Sequence, residues 1–296
     1  MVQRSAPLAG GLIPASTDGS VVNNACIICG HAPIKDLYCV PGFTNPARLF
    51  QLHRCESCGH VSADVTANDL VSAYEANYYR TAYPDYERDA AIHQRNFDDL
   101  LRRIERLTTP GSLIEIGSAF GFLLMAAKAR GWAVRGYDTS VYASGIARER
   151  YGVDVCAKDF LHADIHDNFD LAVMLDTVEH LIDPVAVILK TARILRSKGL
   201  IYLTTGDRAS AFARICGRHW RMIAPPLHVH YFTPASISRL LGKAGLCVVD
   251  ISHPAKYHDL SSVVRHFSGG RLMLPFSLPL PVNLGDTMAV LAKKDW

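Results

Sequence analysis

The sequence predicts an α/β protein, a mainly parallel sheet with helices on both faces, preceded by a small metal-binding module. Three observations carry this. From residue 113 onward, short β-rich runs alternate with helical ones, the pattern of βαβ units. A glycine turn in EIGSAFGFLL joins the first of these runs to a helix. Ahead of them stand two matching knuckles, Cys26-Ile27-Ile28-Cys29-Gly30 and Cys55-Glu56-Ser57-Cys58-Gly59.

The chain has 296 residues, 49% of them apolar, enough for one sizeable core and one smaller unit. Residues 1–21, rich in Gly, Ala, Ser and Pro, have no periodic apolar face and read as a disordered tail. Residues 22–65 hold the paired cysteines. Residues 66–108, ending in the helical FDDLLRRIERL, read as a helical linker and lid, and 109–296 as the main domain. Its strands are expected at Leu113–Ile116, Ala133–Tyr137, Val153–Cys156, Leu171–Leu175 and Leu200–Thr204, with Leu246–Ile251 and Met288–Ala292 completing seven. Between the last two, residues 255–286 suggest a short helix around Ser261–Phe267 and a proline-interrupted loop.

Lys plus Arg number 31 against 28 Asp plus Glu, a net charge of +3. Such a balance offers no electrostatic footprint for nucleic acid or anionic lipid, so the expected partner is a small-molecule acceptor. No apolar run is long enough to span a bilayer, and Gly and Pro interrupt APLAGGLIP before it resembles a signal segment, so a cytoplasmic protein is expected.

A CxxC turn converges two thiolates on one metal, and the following glycine accommodates the tight backbone. Two such turns supply Cys26, Cys29, Cys55 and Cys58 as the four tetrahedral ligands of a structural zinc ribbon. The other cysteines, Cys39, Cys156, Cys216 and Cys247, are scattered singly, which argues against a disulfide framework. His31 and His60, beside knuckles already supplied with sulfur, read as surface polar groups. Three basic residues (Lys35, Arg48, Arg54) against three acidic ones (Asp36, Glu56, Asp64) leave the ribbon without a basic face, so it is expected to support a substrate pocket or an oligomer interface such as a homodimer's.

In Glu115-Ile116-Gly117-Ser118-Ala119-Phe120-Gly121 the glycines lie four apart, not in the GxGxxG spacing that brings a backbone against a pyrophosphate. A carboxylate beside a close-approach loop suits a cation, such as an amino-acid ammonium group, better than a phosphate, which points to S-adenosylmethionine rather than NAD. Gly117, Ser118 and Gly121 would form the cradle. Asp138, with Thr139 after it, ends the second strand where an acid can accept from both ribose hydroxyls. Asp159 and Phe160 after the third strand are placed to meet adenine by hydrogen bond and ring face. Asp176, Glu179 and His180 follow the fourth strand at its carboxyl end, where open α/β sheets put their ligands. Methyl transfer needs alignment and, for a hydroxyl acceptor, a base; His180 is the candidate because imidazole titrates near neutrality, with Glu179 to orient it. His228 and His230, in PPLHVHYFT, lie in a loop expected to roof the acceptor, His228 touching it.

The segments EIGSAFGFLL, GYDTS, FDLAVMLDTVEHLIDP and PPLHVHYFTPASI together resemble class I S-adenosylmethionine-dependent methyltransferases, in particular the bacterial subgroup with an N-terminal zinc-binding segment that acts on sugars, natural products or other small molecules. The resemblance runs over about residues 24–294. It implies a Rossmann-like seven-stranded sheet with the last strand antiparallel, and Tyr79 and Tyr83, within the cluster Tyr74, Tyr78, Tyr79, Tyr83 and Tyr86, as contacts to cofactor and acceptor. Metal-assisted relatives use a Glu-His pair like Glu179-His180 to hold a divalent ion. O-methylation of a small molecule is the leading expectation; a sugar C-methyltransferase and a non-catalytic cofactor-binding scaffold are the alternatives. The additional C-terminal domain of the sugar enzymes is not expected from these 296 residues, so their substrate is not carried over.

Overall fold

A computed structural model describes residues 25–73, 89–261, 264, 272 and 278–295. The N-terminal tail, the tyrosine cluster with Tyr79 and Tyr83, and most of Ser261–Phe267 lie outside the described residues.

The main sheet contains seven strands. In chain order its parallel members are β4 (Ser112–Ile116), β5 (Ala133–Asp138), β6 (Val155–Ala157), β7 (Phe169–Leu175), β8 (Leu195–Gly206) and β10 (Leu246–Ser252), and β13 (Thr287–Lys294) is the antiparallel one. Across the sheet the order is β10-β13-β8-β7-β4-β5-β6. All seven expected strands are present. The third begins at Val155, two residues later than the apolar run suggested, because Val153 packs in the core on the approach from the preceding helix while its N–H bonds the carbonyl of Ala147.

Period-two alternation divides the core. Leu113, Leu171 and Val173 turn to one face, against α2 (Ala90–Ile104) and α3 (Phe122–Ala129). Ile114, Ile116, Ala172 and Met174 turn to the other, against α5 (Pro184–Ile194) and α7 (Pro234–Lys243). These strands are buried on both sides, which is why they read as near-continuous apolar runs. Local chemistry sets the helix starts: Asp183 accepts from Ala186 N with Pro184 in the first turn, and Thr233 and Ser236 form a reciprocal capping box ahead of α7. The helix after β5, α4 (Val141–Tyr151), is capped by Ser140 and ends on Gly152.

A second sheet contains β1 (Ile34–Pro41), β2 (Leu49–Cys55) and β3 (Val61–Ala63), all antiparallel neighbours of the knuckles, and takes a fourth strand, β9 (His230–Tyr231), from the far end of the chain. A short helix, α1 (Ala67–Ala73), follows β3, and another, α6 (Ala211–Cys216), follows β8. Residues 255–286 are not simply helix and loop. They include a hairpin of β11 (Lys256–Asp259) with β12 (Pro279–Val282). Pro279 and Pro281 alternate in β12, so the positions that cannot donate fall on one side of an edge strand, where proline is tolerated.

Candidate active site

The tip of β4 carries Glu115 into the interior, and the chain then turns back on Gly117 (φ +77°), Ala119 (φ +45°) and Gly121 (φ +74°) before α3 begins. Gly117 N and Ser118 N both donate to the Tyr137 carbonyl, at 2.8 and 3.2 Å, tying the turn to the end of β5. One oxygen of Asp138 accepts from Ala119 N and the other from Ser140 N, each at 2.8 Å. Glu115, the glycine loop and Asp138 are thus one assembly. Close approach requires glycine twice: a Cβ on Gly117 would run into the Thr177 side chain, and one on Gly121 would lie 2.7 Å from Val153 Cγ2. Glu115 is 4% exposed, and its Oε2 has no hydrogen-bond partner. Burial first, and the charge of Asp138 second, push its carboxyl well above the usual range. Ser118 is buried with its hydroxyl unpartnered, and Thr139 is exposed beside Asp138.

At the carboxyl end of β7 the backbone enters the left-handed region at Asp176 (φ +48°) and makes a single helical turn, Val178–His180. Asp176 accepts from the Thr204 hydroxyl and from Lys256 Nζ, both at 2.8 Å. Its side chain is partly open to solvent; crowding at the turn would raise the carboxyl, but the Lys256 ammonium and Thr204 outweigh this and hold it below the ordinary value. Glu179 is buried with neither carboxyl oxygen partnered. Burial, then the neighbouring negative charge of Asp176, push it up to about 8. His180 donates Nδ1–H to the Leu227 carbonyl at 2.9 Å, and His228 donates Nδ1–H to the Met222 carbonyl at 2.6 Å. Each bond fixes the tautomer that leaves the lone pair on Nε2. The two rings meet edge to face with centroids 4.7 Å apart. Burial, with His228 next, brings His180 down to about 3, and burial lowers His228. Burial thus moves the two groups in opposite directions, Glu179 toward neutrality and His180 away from it. Glu179, His180 and His228 each offer a ligand atom within 4.8 Å of the others.

The two knuckles are built alike. Cys26 N and Cys55 N donate to the carbonyls of His31 and His60, both at 2.9 Å, while Gly30 N and Gly59 N close each turn on its first cysteine. Both glycines are left-handed, at φ +74° and +71°. The sulfurs of Cys26 and Cys58 lie 3.7 Å apart and those of Cys29 and Cys55 3.5 Å apart, without a disulfide. All four converge within 4.8 Å and could hold a metal ion. Tetrahedral zinc with Zn–S bonds of about 2.3 Å has sulfur–sulfur edges of about 3.8 Å, so the donor set fits.

Several residues fall elsewhere than the sequence suggests. His60 is not a surface group: it is 2% exposed, and its Nε2 lies 3.0 Å from Nδ1 of the equally buried His230. His31 is exposed, as expected. Phe160 packs in the core edge-on to Tyr137, with centroids 5.8 Å apart, rather than presenting an open face. Asp159 accepts from Leu161 N at 3.0 Å and pairs with His162. Sequence reasoning missed three contributors: Thr177, which abuts Gly117; Lys256, which reaches Asp176 from the hairpin; and Asp286, which accepts from Trp220 Nε1 at 2.8 Å and pairs bidentately with Arg221 behind the 222–229 loop. The aromatic and charged composition around Trp220 was a weak signal for the last; the other two depend on contacts between distant segments.

A family model for a methyltransferase domain matches residues 86–251, more than half of the chain. The chain belongs to this methyltransferase family. The methyltransferase is 28% identical over 154 residues to a ubiquinone biosynthesis O-methyltransferase of Aeromonas salmonicida, a match covering 47% of this chain and 64% of that relative. It is 29% identical over 150 residues to the ubiquinone biosynthesis O-methyltransferase of Cereibacter sphaeroides, covering 47% and 61%. The matched region thus spans somewhat less than two thirds of these relatives. Among solved structures, the YcgJ protein of Bacillus subtilis superposes with a TM-score of 0.53 at 13% identity, covering 68% of this chain and 99% of that one. Magnesium protoporphyrin IX methyltransferase of Synechocystis with bound SAH superposes with 0.51 at 14%, covering 74% and 97%. These likenesses establish the fold, that of the class I S-adenosylmethionine-dependent methyltransferases. Among the described residues no helix is long and apolar enough to cross a membrane.

Proposed function

We propose that the methyltransferase moves the methyl group of S-adenosylmethionine to a hydroxyl oxygen of a small uncharged acceptor, a phenol or catechol being the best-supported class. The convergence of Glu179, His180 and His228 beside the glycine loop carries this reading. S-adenosylmethionine supplies an electrophilic methyl group on a sulfonium. Glu115 would face its ammonium group, and Asp138, whose two oxygens retain lone pairs beyond their backbone bonds, would accept from the ribose. On the acceptor side, His180 stays neutral and presents the Nε2 lone pair toward a hydroxyl proton. Its basicity at rest is low. Ionised Glu179 beside it would favour the imidazolium, so the two work as a unit whose proton is lost as the pH passes about 8. The names of the relatives, O-methyltransferases of ubiquinone biosynthesis, support oxygen as the methylated atom and an acceptor of the kind that leads to a quinone.

The same cluster supports a second reading, in which a divalent ion is held by Glu179, His180 and His228. Three protein ligands with one position left open are the pattern of a catalytic rather than a structural metal, and an orphaned buried carboxyl beside two neutral imidazoles fits such an ion. A bound ion would acidify an acceptor hydroxyl. The four cysteines, by contrast, would hold a structural zinc.

Calorimetric titration with S-adenosylmethionine, followed by transfer of labelled methyl to catechol with and without added Mg²⁺ or Zn²⁺, tests the proposal. Binding and formation of 2-methoxyphenol are expected. Absence of cofactor binding removes the enzymatic reading, and activity abolished by chelation and restored by Mg²⁺ selects the second one.

A further inference from the structure

The ring contact between His60 and His230 joins two parts of the molecule that the reaction would not otherwise connect. His60 stands two residues beyond Cys58, at the exit of the second knuckle, and closes that turn by accepting Cys55 N on its own carbonyl. Its ring is buried against Phe232, with centroids 4.9 Å apart, and against His230. From this point the backbone continues the connection. β3 pairs with β9 in the register Val61↔Tyr231 and Ser62↔His230, and Ala63 N donates to the Val229 carbonyl at 2.9 Å. Val229 N in turn donates to the Glu179 carbonyl at 2.8 Å. Residue 229 is therefore clamped between the metal module on one side and the single turn holding Glu179 and His180 on the other. His228, next to it, is held against His180.

The junction is buried, and one flank of it is open. A cavity of about 250 Å³ borders it, lined among others by Cys26, Cys55, His60, Ile182, Val229 and His230. With that space unpacked, the flank of the loop that faces the knuckles is held by the two-residue strand and the His60–His230 hydrogen bond, while Leu227, Tyr231 and Phe232, which do not line the cavity, are buried in the core. The bond is also selective. Two neutral imidazoles sharing one hydrogen must adopt opposite roles, one donating and one accepting, and the contact is made only at one separation and orientation.

We propose that His60 and His230 are positioning residues through which the four-cysteine centre sets the register of residues 227–232, and hence the distance of His228 from His180 and Glu179. The inference rests on the reading of that loop as the acceptor side of the site. Neither histidine belongs to the Glu179–His180–His228 cluster. A metal held by Cys26, Cys29, Cys55 and Cys58 would act at a distance, by fixing the knuckle from which His60 projects.

The test uses the full chain in four variants. His60→Leu and His230→Leu keep volume and remove the bond; His60→Gln and His230→Asn return a polar atom near the lost Nε2 and Nδ1 respectively. Amide hydrogen exchange is followed in residues 227–232 and, as the internal reference, in 113–121, with cofactor affinity measured alongside. Losing this buried bond is expected to raise exchange in 227–232 by about tenfold in both leucine variants, with the glycine loop and cofactor affinity unchanged and partial protection restored by Gln and Asn. Removing metal from the unmodified protein with 1,10-phenanthroline should raise exchange in 227–232 beyond whatever rise a general loss of stability brings to 113–121, and this arm decides the matter if a leucine variant does not fold. Unchanged exchange in 227–232 on chelation and in the variants that fold overturns the proposal; so does an equal rise in 113–121. No acceptor is needed for this readout. Failure to methylate any phenol would therefore remove the acceptor assignment while leaving the coupling itself measurable.

Discussion

Glu179 is the residue whose surroundings most constrain the chemistry. Its carboxyl is held at about 8 by burial and by Asp176, whereas an unfolded glutamate ionises near 4.3. Between those two values the folded chain binds the proton that the unfolded chain has released, so stability falls as pH rises across that interval. The contribution is fully present below the unfolded value and lost as pH passes through about 8. Glu179→Gln removes the ionisation while keeping the shape. In urea titrations at pH 6 and pH 9, the wild-type midpoint should drop more than that of the variant, leaving the variant the more stable protein at pH 9. Because Glu115 is raised in the same direction, the difference between the two proteins is the quantity to compare. Catalysis moves the opposite way. Methylation of catechol should increase as pH rises through about 8, and Glu179→Gln should flatten that rise and lower the rate by about a hundredfold. A variant that keeps the alkaline rise would assign it to another group.

At the scale of the element, the strand-turn-helix of β4 and α3 depends on two glycines that face different neighbours. Gly121 and Gly117 are both left-handed, a conformation that costs a side-chain-bearing residue about 1–2 kcal/mol. Both add crowding: a Cβ on Gly121 would meet Val153, and one on Gly117 would meet Thr177 at the start of the β7 loop. Gly152, left-handed at φ +61° with nothing within 4 Å of its position, separates the two effects. Gly117→Ala should weaken cofactor binding about tenfold or more by prising the cradle from the β7 loop, whereas Gly152→Ala should cost only the backbone penalty and bind normally. Equal affinities in calorimetry would show that the loop does not hold the cofactor. This element was also the most legible in the sequence, because everything that defines it is local: an apolar run, an acid, two glycines and a helix. The seven strands were legible for the same reason, each being a local apolar run, and the central ones, β4, β7 and β8, are buried on both faces. β9 was not, because two residues have no periodicity and their pairing with β3 spans about 170 positions. The burial of His60 was hidden likewise, since its partner His230 lies at the other end of that pairing. Lys256 could not be assigned to Asp176 without knowing that β11 folds back over the site.

Over the whole molecule, these long-range pairings decide whether the cysteine module is an appendage or a structural part of the enzyme. Cys26, Ile28, Cys55 and Cys58 belong to the same continuous core as Ile114, Met174 and Ile237 of the main domain. The module's sheet is completed by β9, which lies between the acceptor loop and α7. A unit that shares both a core and a sheet with its neighbour has no separate surface on which to unfold alone. A metal that binds only the folded knuckles stabilises whatever unfolds with them. Scanning calorimetry should therefore show one transition, displaced as a whole to lower temperature by a chelator or by Cys58→Ser. An independent module would instead give two transitions, of which only the smaller would respond to metal. In that case β9 and the His60–His230 contact would be too weak to transmit order, and the placement of His228 would have to be set from within the main domain, by Asp286, Arg221 and Trp220.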